Sequence, residues 1–344
     1  MNKRTQKKVT KFAMQNPIII VVLVLAALLV IGGLVIYQMF FAPEEEKKVY
    51  DIPEGSAEFH YIDVGQGDAT LIFADGETVL IDTGEADDDN ALINYLQEKN
   101  VQTIDYFIIT HFDSDHFGEA TEVLNTFEIE RLIIPDQVKD DTKIYNTFMD
   151  TLASMPEIFV YVIEDNDDIG TRIEVDDVID IDTDDRFLYV GEIDPENEGD
   201  KADLELEFLG PVKDSYSGSN DYSIIVMARW GKNKMLFTGD AENAAEKALM
   251  DKYSNDLDER LDCDVFKAGH HGSDTSSRQE IVDAASPEYV IISCGENNKH
   301  GHPKPEAMER FENAVGEDNI YRTDYQGTII IITDGENITV KTEK

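Results

Sequence analysis

The chain has 344 residues, with 29 Lys plus Arg against 72 Asp plus Glu and a formal net charge of −43. That balance excludes a protein that grips nucleic acid through a broad basic surface, because such binding needs cations clustered over the phosphates. A hydrophobic fraction of 42%, with 16 Phe and 14 Tyr, supplies a folded core and excludes a wholly disordered chain.

The N-terminal stretch carries Lys3, Arg4, Lys7, Lys8 and Lys11 and no acid as far as residue 43. Ile18 to Tyr37 then runs without a charge or a strongly polar side chain. A helix of that length spans roughly 30 Å, the thickness of a bilayer core. Bases precede the run and acids follow it, which keeps the N-terminus cytoplasmic. The expected layout is a basic cytoplasmic tail over 1–17, a transmembrane helix over 18–41, a charged linker over 42–56 and a folded domain over 57–344. This describes a single-pass protein of the cell membrane with its C-terminal domain outside. A buried soluble helix is rarely so long. A cleaved signal peptide has a shorter apolar core, and Phe40 stands where a small residue is needed. Cys263 and Cys294 are too few for a disulfide framework, so two buried thiols are expected.

Beyond the linker, β-rich runs alternate with helical patterns. Glu58–Asp63, Ala69–Phe73 and Thr78–Asp82 predict three strands separated by Gly and Asp turns. Leu92, Ile93 and Leu96 form an apolar stripe on a helix over Asn90–Lys99. A buried strand over Ile104–Ile109 leads to a helix over Gly118–Phe127. A strand over Arg131–Ile134, a helix over Asp141–Ala153 and a strand over Ile158–Ile163 follow. The second half predicts paired strands at Tyr222–Ala228 and Lys234–Phe237, then a helix over Ala241–Asp251 with Glu242 and Glu246 on its exposed side. Strands at Val265–Ala268 and Tyr289–Ser293, a helix over Pro305–Val315 and a final pair, Thr328–Ile332 with Ile338–Val340, complete the chain. This alternation, with hairpins among it, predicts a layered α/β protein with mixed sheets. Between the halves, Glu164 to Asp200 is strongly acidic. Asp180, Asp182 and Asp184 start a calcium-loop spacing, but Asp185 replaces the loop glycine and Gly191 the terminal Glu. A solvated acidic edge is the expected reading.

The chemistry concentrates in Thr110–Gly118. Two imidazoles and two carboxylates, His111, Asp113, Asp115 and His116, fall within six residues directly after a buried strand. Those side chains suit zinc, manganese or iron. His270 and His271, Asp240, and His300 and His302 also follow predicted strand ends, where α/β sheets build their sites. His60 lies inside a strand and is expected to be structural.

These residues resemble the metallo-β-lactamase superfamily, and within it the extracellular hydrolase-like domain of ComEC-like competence proteins and stand-alone relatives. The similarity runs through His60-Tyr61-Ile62-Asp63-Val64-Gly65-Gln66-Gly67-Asp68-Ala69, Leu80–Gly84, Thr110–Gly118, Asn220–Ser223, Phe237–Asp240, Gly269–Ser273 and Gly301–Pro303. It implies an αββα sandwich of two mixed sheets with a site at one edge. It also implies metal ligands. His111 takes the first place of the His-x-His-x-Asp-His motif, Asp113 replaces the second histidine, and Asp115 and His116 form the pair for a second ion. Asp240 matches the bridging carboxylate. His270 matches the last ligand, with His271 an open alternative. The histidine usual between the first motif and the bridging Asp is missing, and Asn220 is the family-like residue there.

One or two divalent ions, zinc or manganese, are therefore expected, one held tightly and one weakly. Oxygen-rich coordination at the His111–Asp113–Asp240 side shifts preference toward manganese or leaves that site labile. Asp115 is the candidate to orient or deprotonate water. His302, and whichever of His270 and His271 is not a ligand, are candidates to hold substrate oxygen or protonate the leaving group, or else to hydrogen-bond and orient the ligands. Asp82 and Asp63 are expected to support ligands. The expected function is a membrane-anchored, extracytoplasmic metal-dependent hydrolase acting on phosphodiesters, possible nuclease work included. The acidic surface disfavours nucleic acid as a partner. The other readings are a surface binding protein on a degenerate metal fold and an ester or lactam hydrolase.

Overall fold

The computed structural model describes residues 50, 52–53, 55–86, 90–163, 187–190, 204–213 and 215–344. The apolar run Ile18–Tyr37 and the aspartates 180, 182 and 184 lie outside the described residues. Among the described residues, no helix is long and apolar enough to cross a membrane.

Fifteen strands, β1 to β15, form two mixed sheets among the described residues. The first begins with β1 (Ala57–Tyr61), β2 (Thr70–Ala74) and β3 (Glu77–Ile81), an antiparallel meander. Asp75 and Gly76, both at positive φ, make the tight β2–β3 turn. β4 (Thr103–Ile108), β5 (Glu128–Pro135) and β6 (Phe159–Ile163) continue the sheet in parallel. The last pair, β14 (Ile329–Thr333) and β15 (Ile338–Thr342), completes its other side against β1. The second sheet has the order β13-β12-β11-β10-β9-β8-β7. Its parallel part holds β10 (Asn233–Phe237), β11 (Val265–Lys267), β12 (Tyr289–Ile292) and β13 (Ile320–Arg322). β9 (Ile225–Trp230), β8 (Leu204–Gly210) and β7 (Phe187–Val190) extend it antiparallel.

Three apolar clusters show the layering. Phe59, Tyr61, Ile108 and Ile331 of the first sheet pack with Val226, Met235, Phe237 and Val265 of the second, forming the core between the sheets. Leu80, Phe107 and Leu132 turn the other way, toward the helices α1 (Ala91–Glu98), α3 (Ala120–Thr126) and α4 (Lys143–Leu152). Leu236, Phe266 and Val290 pack on α5 (Asn243–Lys252), α7 (Gln279–Ala285) and α8 (Pro305–Val315). The central strands are buried on both faces, so successive side chains alternate between two cores, and the result is the expected αββα sandwich. Both cysteines are free and buried.

The differences from the sequence reading are local. Tyr222 closes a short 3-10 turn instead of opening a strand, and β9 starts at Ile225. Asp221 dictates this, because its Oδ1 accepts the Glu242 and Ala245 N–H groups at the start of α5. β7, β8, α7 and the short α6 (Leu257–Leu261) were not expected.

The loop after β4 is fixed by close backbone packing. Gly118 N donates to Gly84 O at 2.8 Å, and Thr83 N to His116 O at 2.7 Å. A Cβ on Gly118 would lie 2.6 Å from both Gly84 O and Ser114 O. Gly118→Ala is therefore expected to cost about 1–3 kcal/mol, the usual penalty of overpacking. Urea denaturation checks this, and an unchanged midpoint would contradict the close approach.

Candidate metal centre

The site lies where strands of both sheets end. Asp82 follows β3, and Thr110, His111 and Asp113 follow β4. Asp115 and His116 stand on the one-turn helix α2 (Ser114–Phe117). Asp240 follows β10, and His270 and His271 follow β11. Asp68 precedes β2, which brings it to the same edge. Gly67 (φ +143°) allows this approach, and Asp68 N then donates to Asp115 O at 3.0 Å.

Four side chains converge. One ligand atom from each of Asp68, His116, Asp240 and His271 lies within 4.8 Å of the others, and all four residues are buried. The hydrogen bonds around the imidazoles fix which nitrogen faces inward. His116 Nδ1 donates to Asp82 Oδ2 at 2.7 Å. His271 Nδ1 donates to the Ser293 carbonyl at 3.0 Å. Thr110 Oγ1 gives its proton to Asp82 Oδ2 at 2.6 Å, so its oxygen accepts from His111 Nδ1 at 3.2 Å. The Nε2 atoms of His111, His116 and His271 are consequently the ones left over, and none has a hydrogen-bond partner. Asp240 Oδ1 is buried without one too. It lies 2.9 Å from His116 Nε2, near enough for an ion pair but out of line for a hydrogen bond. Buried donors and acceptors are nearly always paired. Inward Nε2 atoms backed by a carboxylate and a backbone carbonyl are the arrangement of metal-binding histidines.

Electrostatics agree with that fit. Burial opposes charge on His116, but Asp240 and Asp82 outweigh it and raise the imidazole well above its ordinary range. Burial likewise opposes charge on His271, where Asp240 and Asp115 raise it. Burial, helped by His116, pushes His111 down to about 3. Asp240 is held well below the carboxylate range, with His116 and His271 overcoming its burial. The pocket demands positive charge at its centre, and a divalent cation supplies it while leaving the imidazoles neutral.

Asp115 Oδ2 lies 3.4 Å from His271 Nε2, at the margin of the cluster. His270 turns outward, with Nδ1 3.2 Å from Glu242 and Nε2 3.6 Å from Asp240. His270 and His271 both have positive φ, and this left-handed pair sends the neighbouring rings apart. Asp113 is not in the cluster; its Oδ1 accepts from Lys139 Nζ and from Ser219 Oγ. The His302 ring lies edge-on to His270 at 5.3 Å and tilted against His300 at 5.6 Å, forming an imidazole rim. Burial and the neighbouring His270 push it down to about 4, so it is neutral at pH 7. Asp82 supports His116 as expected. Asp63 supports no ligand: it accepts from Gly65 N and pairs with Lys344. His60 bonds Tyr95 and Glu58 within the helix-facing layer, a structural role.

Two contributors were not read from the sequence. Asp68 joins the cluster, and Lys267 Nζ donates to its Oδ2 at 2.8 Å. Glu246, expected on the exposed side of its helix, is instead buried on α5 because it accepts the Ser277 and Arg278 N–H groups at 2.6 and 3.1 Å. Ser277 Oγ in turn accepts from Gly269 N, which anchors the His270–His271 loop.

A family model described as the metallo-beta-lactamase superfamily matches residues 62–296. The chain is 27% identical over 299 residues to ComE operon protein 3 of Bacillus subtilis, covering 82% of this chain and 34% of that one. It is 28% identical over 255 residues to Recombination protein 2 of Haemophilus influenzae, covering 73% and 26%. It thus spans about a third or less of the length of these relatives. Among solved structures, the metallo-beta-lactamase fold protein YhfI from Bacillus subtilis aligns at a TM-score of 0.41 and 9% identity, over 77% of this chain and 95% of that one.

Two outcomes follow from the geometry. Asp82→Asn leaves one acceptor oxygen for three donors, Thr110 N, Thr110 Oγ1 and His116 Nδ1, and is expected to weaken zinc or manganese binding about 10–100-fold, read by calorimetry; unchanged affinity would contradict that role. Burial pushes Glu246 up to about 7. A carboxyl raised above its unfolded value contributes stability that is full below the ordinary range and lost as pH rises through about 7. Wild type should therefore lose more stability than Glu246→Gln between pH 5 and pH 8, and parallel denaturation curves would refute this.

Proposed function

The chain belongs to the metallo-beta-lactamase superfamily, and from that premise we propose that it is a metal-dependent hydrolase of phosphodiesters. The observation that carries the reading is the convergence of unpartnered His116 Nε2, His271 Nε2 and Asp240 Oδ1 on one buried point. Asp68, His116, Asp240 and His271 would hold the ion. Such an ion, when bound, acts as a Lewis acid and makes water a far stronger acid.

The chain's own residues supply the rest. Asp115 is kept ionised, because His271 and His116 outweigh its burial. It orients a water beside the cluster and accepts its proton. His302 is neutral at pH 7 and offers a ring N–H to a substrate oxygen. With His270, His300 and Lys304 it forms a rim of donors suited to the anionic oxygens of a phosphoryl group.

The names of the relatives associate them with competence and recombination, which brings nucleic acid into the substrate class. A net charge of −43 repels a long polyanion, so a small phosphodiester is the favoured substrate. We place the domain outside the membrane, anchored by Ile18–Tyr37, on the charge asymmetry around that run.

A substrate panel tests the proposal: bis-p-nitrophenyl phosphate, p-nitrophenyl phosphorylcholine, DNA, a lactam and an acyl ester, each with manganese or zinc. Hydrolysis of a phosphodiester is expected, lowered at least about a hundredfold by His116→Ala, since even indirect disruption of a metal ligand reaches that size. Cleavage of the lactam or acyl ester alone, or activity untouched by His116→Ala, would overturn it.

A further inference from the structure

Many ligand patterns of this kind serve two ions, yet the His111–Asp113 side of the centre is already neutralised. We propose that the Lys139 ammonium takes the place of a second ion, so that the centre holds one divalent cation and one lysine. This inference rests on the metal-dependent reading above and adds the number of ions to it.

Lys139 Nζ pairs with Asp113 Oδ1, and Ser219 Oγ donates to the same oxygen at 2.7 Å. The contact is built into the fold. Thr142 N and Thr142 Oγ1 both donate to Lys139 O at 3.0 Å, fixing the lysine backbone at the start of α4. On the same loop, Gln137 Oε1 accepts from Phe112 N, inside the histidine motif, at 3.2 Å. Gln137 Nε2 donates to Ser219 O and Oγ at 3.2 and 3.1 Å. Gln137, Lys139 and Ser219 therefore clasp the Asp113 turn from two sides.

With Asp113 committed, His111 Nε2 is the uncommitted donor there, and one imidazole is a poor site for a divalent ion. Among the described residues, the converging group is Asp68, His116, Asp240 and His271, which excludes both His111 and Asp113. The lysine is a fixed point charge on the side where a second cation would neutralise a phosphoryl oxygen.

The test uses the full chain in detergent, Mn²⁺ as the probe, and metal stoichiometry with electron paramagnetic resonance as the readout. Wild type should bind one tight Mn²⁺ with an uncoupled spectrum. Lys139→Met should bind a second and show spin coupling, while Lys139→Arg should stay at one. The double variant Lys139→Met/Asp113→Ala should return to one. Two tight ions in wild type would overturn the proposal and leave the metal-dependent reading standing. No second ion in Lys139→Met would also overturn it. No ion in wild type would overturn both.

Discussion

Three buried carboxylates surround one imidazole, and the rest of the site is arranged around that fact. Asp82 and Asp240 lie 2.7 and 2.9 Å from the two nitrogens of His116, and Asp68 lies 4.0 Å away. Burying unbalanced charge is among the costliest things a fold does. Each carboxylate here has a distinct answer. Asp68 is matched by the buried ammonium of Lys267. Asp82 is saturated by the Thr110 N–H, the Thr110 hydroxyl and His116 Nδ1. Asp240 keeps a buried oxygen, Oδ1, that has no hydrogen-bond partner. A cation at that point completes the balance.

The sandwich supplies the precision. Parallel strands of both sheets end at one edge, so residues from Asp68 to His271 arrive together on short, backbone-pinned turns. The pins cross between segments: Asp68 to Asp115, Thr83 to His116, Gly84 to Asp68 and His270 to Gly239. Such ties hold ligand atoms in place before any ion binds, which strengthens binding by reducing what must be ordered.

Much of this was legible in the sequence, and the losses have physical reasons. The strand-end positions of His111, His116, Asp240 and the His270–His271 pair follow from hydrophobic runs and turn residues. Which of His270 and His271 faces inward was not legible, because it depends on two successive left-handed residues that no periodicity signals. Asp68 sat in a glycine-rich turn that read as geometry alone. The partner of Asp113 lies 26 residues away in Lys139, a pairing visible only in three dimensions. β8 shows a clear alternation, Leu204-Glu205-Leu206-Glu207-Phe208, but the acidic surroundings masked it. Glu207 is tolerated in that strand because Arg229 and Arg260 both pair with it.

The charge of −43 is thus two quantities: a solvated acidic surface and a small buried set tuned to hold a cation. The direct measurement of the second is anomalous diffraction from crystals soaked in Mn²⁺. One strong peak is expected, bounded by His116 Nε2, His271 Nε2 and the Asp240 carboxylate. A peak elsewhere on the acidic surface, or none at this cluster, would contradict it.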